Sequence, residues 1–296
     1  MLESAVEAGV TFFDTADVYG DGRSERLVGE FRRGHNCIAV ATKMGRRAAP
    51  HVAQAYALAR FREWTDRSRS NLGVDVLDLV QLHCPPTSVY QNDEVFEALD
   101  APVDEGRTRA YGVSVETCDE ALRAIARPGV ASVQIILNVL RRKPLEQVLP
   151  AAVKAGVGVI VQLPLASGLL SGNYGESTTF AADDHRTYNR HGEAFDWGET
   201  FAGVPYEVGV AAARDVAALF PEGAATAQLA LRWLLDQPGV TRSSPVRATL
   251  TRRARTPQQR DSHPSTSRPS WRWQGSTTRG SESTSTTSGR AHSSAR

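Results

Sequence analysis

Up to about residue 240 the chain alternates short, β-branched apolar runs with longer amphipathic stretches, and this alternation limits its fold more than any other feature. Strands are expected over residues 10–14, 38–42, 77–82, 110–115, 132–137 and 157–162. Helices are expected near 24–33, 52–71, 93–105, 118–126, 145–154, 206–219 and 226–235. Repetition of strand then helix builds a parallel sheet covered by helices, because a parallel neighbour is reached only through a crossover. Periodicity alone leaves two closures open, a doubly wound sheet and a (β/α)8 barrel.

The chain has 296 residues, enough to bury a large core, and it contains no apolar run long enough for a membrane span. Its first residues, Met1-Leu2-Glu3-Ser4, lack the basic and apolar regions of a signal peptide. Cys37, Cys84 and Cys118 have no metal-ligand spacing, so neither a disulfide framework nor a cysteine metal site is expected, and the compartment expected is a reducing cytoplasm. The net charge of +1 hides a division. From Thr241 onward there are 11 Arg and no Lys against Asp261 and Glu282, whereas the preceding residues carry an acidic excess. That last segment is rich in Ser, Thr, Arg and Pro and poor in aliphatic side chains, so residues 241–296 are expected to form a disordered tail beside a domain over 1–240. Arginine density raises nucleic-acid binding as a reading, but the tail has no Lys and few aromatics, and no nucleic-acid partner is expected.

The informative polar residues sit at or near the ends of the expected strands. Asp14 closes the first, with Tyr19 in the loop beyond; Lys43 closes the second; His83 follows the third; Ser114 closes the fourth; Gln134 lies in the fifth. Each has a structural explanation on its own: Asp14 as a turn cap, Lys43 as a solvated charge, His83 as a bonded core histidine. In a parallel barrel, however, all strand C-termini open on one face and converge on one pocket. A phenol, an ammonium, a carboxylate and an imidazole gathered there can move a proton at neutral pH, the ammonium favouring the phenolate and the carboxylate balancing the ammonium.

The motifs FFDTADVYG at 12–20, ATK at 41–43, LDLVQLH at 77–83, YGVS at 111–114 and PLASGLLSG at 164–172 resemble those of the aldo-keto reductases, in the same order and over about residues 3–240. The resemblance implies a (β/α)8 barrel that binds NADPH (the cofactor NADP in its reduced form) and reduces a small aldehyde or ketone to an alcohol. It implies Tyr19 as proton donor, Lys43 and Asp14 as its tuning pair and His83 as the group that orients the carbonyl. Ser114 and Gln134 would hold the nicotinamide carboxamide, Gln162 would lie where many members place an aromatic ring over the nicotinamide, and the 165–172 loop, with Leu165, Ser167 and Leu169, would cover the pyrophosphate. A non-catalytic NADPH-binding subunit, similar to the cytoplasmic β subunits of potassium channels, is the alternative on the same scaffold. Val115 stands where many members have Asn.

Both ends depart from the family pattern. The first expected strand corresponds to the second of the barrel, so the barrel is expected to be incomplete, with its first strand missing and its eighth missing or altered. Residues 243–249, SSPVRAT, can be encoded by bases that, regrouped by one position, spell IPGARN, the family's 2′-phosphate turn. Everything after about Thr241 is therefore expected to be out-of-frame translation.

Overall fold

The computed structural model describes residues 2–35, 37–219 and 225–243. A short helix α1 (Leu2–Glu7) leads into strand β1 (Phe12–Asp14). There follow α2 (Arg23–Arg32), β2 (Ala39–Met44), α3 (Leu58–Leu72), β3 (Leu79–His83), α4 (Asp93–Asp104), β4 (Tyr111–Ser114), α5 (Cys118–Ile125), β5 (Val130–Ile136), α6 (Val148–Ala155) and β6 (Gly158–Gln162). A long segment with one helical turn, α7 (His185–Tyr188), then precedes α8 (Tyr206–Ala218), α9 (Thr226–Leu235) and β7 (Val240–Ser243).

The seven strands are all parallel and neighbour one another in chain order, β1 to β7. A doubly wound sheet reverses its order at a switch point, and this one does not. Curvature follows from one hydrogen bond. Gln134 Nε2 on β5 donates to Asp14 Oδ2 on β1 at 3.0 Å. In a flat sheet, strands four places apart are separated by about 19 Å at the usual spacing, so the sheet must curl until its concave face brings them together. This is a (β/α)8-type barrel sheet, with β1 and β7 as its edges among the described residues.

Side-chain alternation divides the layers. Leu79, Gln81 and His83 share one face of β3, Ala41 and Lys43 one face of β2, and Phe12 and Asp14 one face of β1. Deep in the concave side, Ala41, Leu79, Ala110 and Ile160 form a small apolar cluster with Phe12 packed against it. The polar members of the same faces lie above it. The opposite faces pack against the helices in a large core that includes Val40, Val80, Leu82, Val113, Val133, Phe61, Trp64 and Leu99.

Two expectations need amendment. The helix expected over 52–71 begins only at Leu58, because Tyr56 turns inward, buried, with its hydroxyl on Gly45 O at 3.2 Å and His51 Nε2 at 2.8 Å. Lys43 is not the last residue of its strand, since β2 runs one further to Met44. The eighth barrel strand, expected to be missing or altered, is present among the described residues as the short strand Val240–Ser243, paired with β6. The rest of the tail lies outside the described residues.

Gly112 illustrates how tightly the lumen is built. A Cβ there would lie 2.2 Å from Ser132 Oγ and 2.5 Å from Ser132 O on the adjoining strand. Gly112→Ala is expected to lower stability by about 1–3 kcal/mol through overpacking, read as a drop in the urea midpoint, and an unchanged midpoint would show that β4 and β5 separate freely.

Candidate active site

The loop between β1 and α2 carries Tyr19 and is fastened at both ends. Thr15 N and Asp17 N donate to Ala41 O (2.9 Å) and Lys43 O (3.1 Å), extending the β1–β2 pairing past Asp14. Thr15 Oγ1 donates to Ser24 Oγ at 2.7 Å. The buried Glu25 carboxylate then accepts from Thr42 Oγ1 (2.6 Å) and Asn71 Nδ2 (2.7 Å), joining α2, β2 and α3.

Within this frame Lys43, buried, donates to Asp14 Oδ1 (2.7 Å), Asp14 Oδ2 (2.8 Å) and Thr15 O (2.8 Å). Burial alone would push the ammonium's pKa down; the Asp14 carboxylate, with Tyr19 behind it, more than offsets this and holds it above the ordinary lysine value. Lys43 is therefore charged at neutral pH. Its Nζ lies 5.5 Å from the centre of the Tyr19 ring, which meets the His83 imidazole edge-on at 5.9 Å. The structure thus gathers Asp14, Tyr19, Lys43 and His83 at one end of the barrel.

The electrostatics refine the expected chemistry. Lys43 lowers the Tyr19 phenol more than any other single group acts on it, but desolvation and the Asp14 and Glu199 carboxylates together outweigh it, and the net direction is upward. The phenol is consequently protonated at neutral pH, as a donor must be. The residue as a whole is 45% exposed, so it borders the mouth of the barrel. His83 is held well below 6.5 by burial and by Lys43, Arg46 and His51, so the imidazole is neutral.

Ser114 and Gln134 lie beside His83 in register, His83↔Ser114 and Ser114↔Gln134. Ser114 Oγ faces Cys84 Sγ at 3.5 Å, and Gln134 spends a donor on Asp14. Gln162, at the end of β6, has a buried Nε2 without a hydrogen-bond partner among the described residues, as does His83 Nδ1. Leu165 and Leu169 are buried in an apolar cluster with Ile136, Phe201 and Tyr206, leaving their backbone as the part able to meet a ligand. Ser167 Oγ donates to Glu199 O (3.1 Å) and accepts from Phe201 N (3.1 Å), tying its loop to the long segment before α8.

That segment supplies a group the sequence reading missed. Glu199 pairs with Arg46 at 3.4 Å, and its carboxylate, Cys84 Sγ and Glu116 offer ligand atoms within 4.8 Å of one another. Burial pushes Glu116 up to about 7, with Asp196 and Glu199 adding to it, and pushes Cys84 up to about 12, so this thiol stays protonated. Arg46 and Glu199 lie 153 positions apart, and no spacing in the sequence joins them.

Asp17, fully buried two residues before Tyr19, has neither carboxylate oxygen in a hydrogen bond; its neighbour is Arg47 Nε at 3.4 Å. Burial pushes its pKa from 3.8 to about 6, against the pull of Arg47. Between these two values the native state binds a proton that the unfolded chain has released. The associated stability is therefore full at pH values below 3.8 and lost as pH rises to about 6. Asp17→Asn is expected to stabilise the protein by about 1–3 kcal/mol at neutral pH and not below about pH 4. Melting curves at both pH values check this, and an equal gain at both would exclude ionisation as its source.

Comparisons with known proteins show the family. A model of the aldo/keto reductase family matches residues 1–250. Aldo-keto reductase YhdN of Bacillus subtilis (strain 168) is 31% identical over 245 residues, 80% of this chain and 71% of that protein. Coverage of another curated relative, an uncharacterized oxidoreductase of the same organism, is 56% of its length. Among solved structures, an aldo-keto reductase from Bacillus halodurans in its holo form matches with a TM-score of 0.70 at 24% identity, over 90% of this chain and 82% of that one. An aldo/keto reductase from Klebsiella pneumoniae in complex with NADP and acetate matches with a TM-score of 0.61 at 23% identity, over 88% and 78%. No helix among the described residues is long and apolar enough to cross a membrane. With its motifs folded into one parallel barrel sheet and the family model matching most of its length, the chain belongs to the aldo/keto reductase family of oxidoreductases.

Proposed function

We propose that the protein reduces an aldehyde or ketone to an alcohol with NADPH, Tyr19 being the proton donor. The observation that carries this reading is the convergence of a protonated phenol, a charged Lys43–Asp14 pair and a neutral His83 at one end of the barrel. The orphaned donor of Gln162 and the orphaned His83 Nδ1 suit a ring that carries amide and carbonyl groups. Ser114, Gln134 and Gln162 would hold the nicotinamide, and the backbone around Leu165, Ser167 and Leu169 the pyrophosphate. The complex of the Klebsiella pneumoniae relative with NADP supports this choice of cofactor.

Bound NADPH supplies a hydride. The chain's own work is orientation and proton supply. A neutral His83 directs a hydrogen bond at the substrate oxygen, and Tyr19 delivers its proton to that oxygen as charge develops there. Lys43, held by Asp14 and Thr15 O, stabilises the phenolate that remains. The direct test is loss of NADPH absorbance on mixing the full chain with 4-nitrobenzaldehyde, with the alcohol formed in equal amount. Tight cofactor binding with no alcohol from a panel of aldehydes and ketones would favour a non-catalytic subunit instead.

A further inference from the structure

Gln81 sits in the lumen of the barrel, fully buried, opposite Lys43 on one side and Gly112 on the other. Its Nε2 donates to Gln134 Oε1 at 3.4 Å, and its own Oε1 is buried without a partner among the described residues. Gln134 lies two strands away, and Gly112, which intervenes, has no side chain to block the reach. Gln134 Nε2 in turn donates to Asp14 Oδ2 at 3.0 Å, and Asp14 holds Lys43.

An amide group has two ends of nearly equal shape and opposite chemistry. Were Gln134 turned over, its carbonyl would face the Asp14 carboxylate, and a donor to the Lys43–Asp14 pair would become a repulsive dipole. The Asp14 carboxylate already favours the NH2-forward orientation, and the donor that Gln81 aims at Gln134 Oε1 holds the far end of the amide in the same sense. We propose that Gln81 is a positioning residue: it fixes the amide of Gln134 with its NH2 toward Asp14, and so fixes the carboxylate that holds Lys43. The orphaned Oε1 fits this assignment, because Gln81 gives up a partner at one end to serve Gln134 at the other. The groups facing this layer are Asp14 from β1, Lys43 from β2 and His83 from β3. The catalytic consequence rests on the carbonyl-reductase reading; the orientation itself does not.

The test pairs Gln81→Leu with Gln81→Glu in the full chain. Leucine keeps the bulk but removes the donor, while glutamate keeps the shape and, once ionised, draws the Gln134 NH2 away from Asp14. A packing role alone would leave the Gln134 amide in place, whatever Q81E loses by burying a charge. The proposal expects, at about pH 8, kcat lower by about tenfold in Q81L and by more in Q81E. Independently of turnover, isotope-labelled glutamine gives side-chain amide resonances, and the pair that disappears in Gln134→Leu belongs to Gln134. That pair should move in both Gln81 variants. Turnover of Q81L within about twofold of wild type, a smaller loss in Q81E than in Q81L, or Gln134 resonances that stay in place would each overturn the positioning role. If wild type itself reduces no carbonyl, the functional reading falls and the resonances alone decide whether Gln81 orients Gln134.

Discussion

Tyr19→Phe should lower NADPH-dependent turnover of a reactive aldehyde by about 10²–10⁴-fold, the usual contribution of a positioned proton donor. The phenylalanine ring repeats everything but the hydroxyl, so NADPH affinity should stay within about twofold. Stability should also change little, because Tyr19 is 45% exposed and Phe keeps its ring. The loss should appear in kcat and kcat/KM alike, since the proton moves only as the transition state forms. The pKa directions bear on this as well. With the phenol above 10.0 and the imidazole well below 6.5, neither group changes charge between those values, so the defect should be the same throughout that interval. Stopped-flow and steady-state rates at matched cofactor saturation check the result. Turnover within threefold of wild type would remove Tyr19 from the donor's place.

The scaffold was legible because its signals are local. Helix Thr226–Leu235 agrees with its expected bounds, and the six expected strands agree to within two residues, since β-branched runs and amphipathic periods act over a few residues. The curl of the sheet was not legible, for the bond that reveals it spans 120 positions, from Asp14 to Gln134. The four residues at the end of the barrel could be read from motif and strand position together, and the geometry gathers all of them. Gln81 left a trace, a lone amide within the apolar run LDLVQLH and two residues before His83, but its target could not be seen in one dimension. Arg46, Glu116 and Glu199 left none, because each lies in a loop whose course depends on tertiary ties. Glu116 is set where its own N–H and that of Thr117 bond to Glu120 Oε2, each at 3.1 Å, and Arg141 holds Glu116 O at 2.9 Å from the next loop.

Lys43→Met should have the largest combined effect, on fold and chemistry together. The ammonium is buried and bonded to both Asp14 oxygens, so removing it leaves a carboxylate in the lumen without its counter-charge. Breaking one side of a buried pair in this way costs about 3–5 kcal/mol, a large part of the 5–15 kcal/mol by which domains are usually stable. The urea midpoint should fall accordingly, and turnover should fall by at least about 10²-fold as the phenolate loses its nearby cation. These two losses have different causes and can be separated. Asp14→Asn combined with Lys43→Met removes both charges, and replacing a buried pair by neutral groups is far less damaging than breaking it. The double variant should therefore regain most of the midpoint while staying as inactive as Lys43→Met alone. Recovery of activity with the midpoint would mean that the pair serves the fold and not the proton. A single variant that unfolds at the wild-type midpoint would mean that the Lys43–Asp14 pair contributes nothing to the fold.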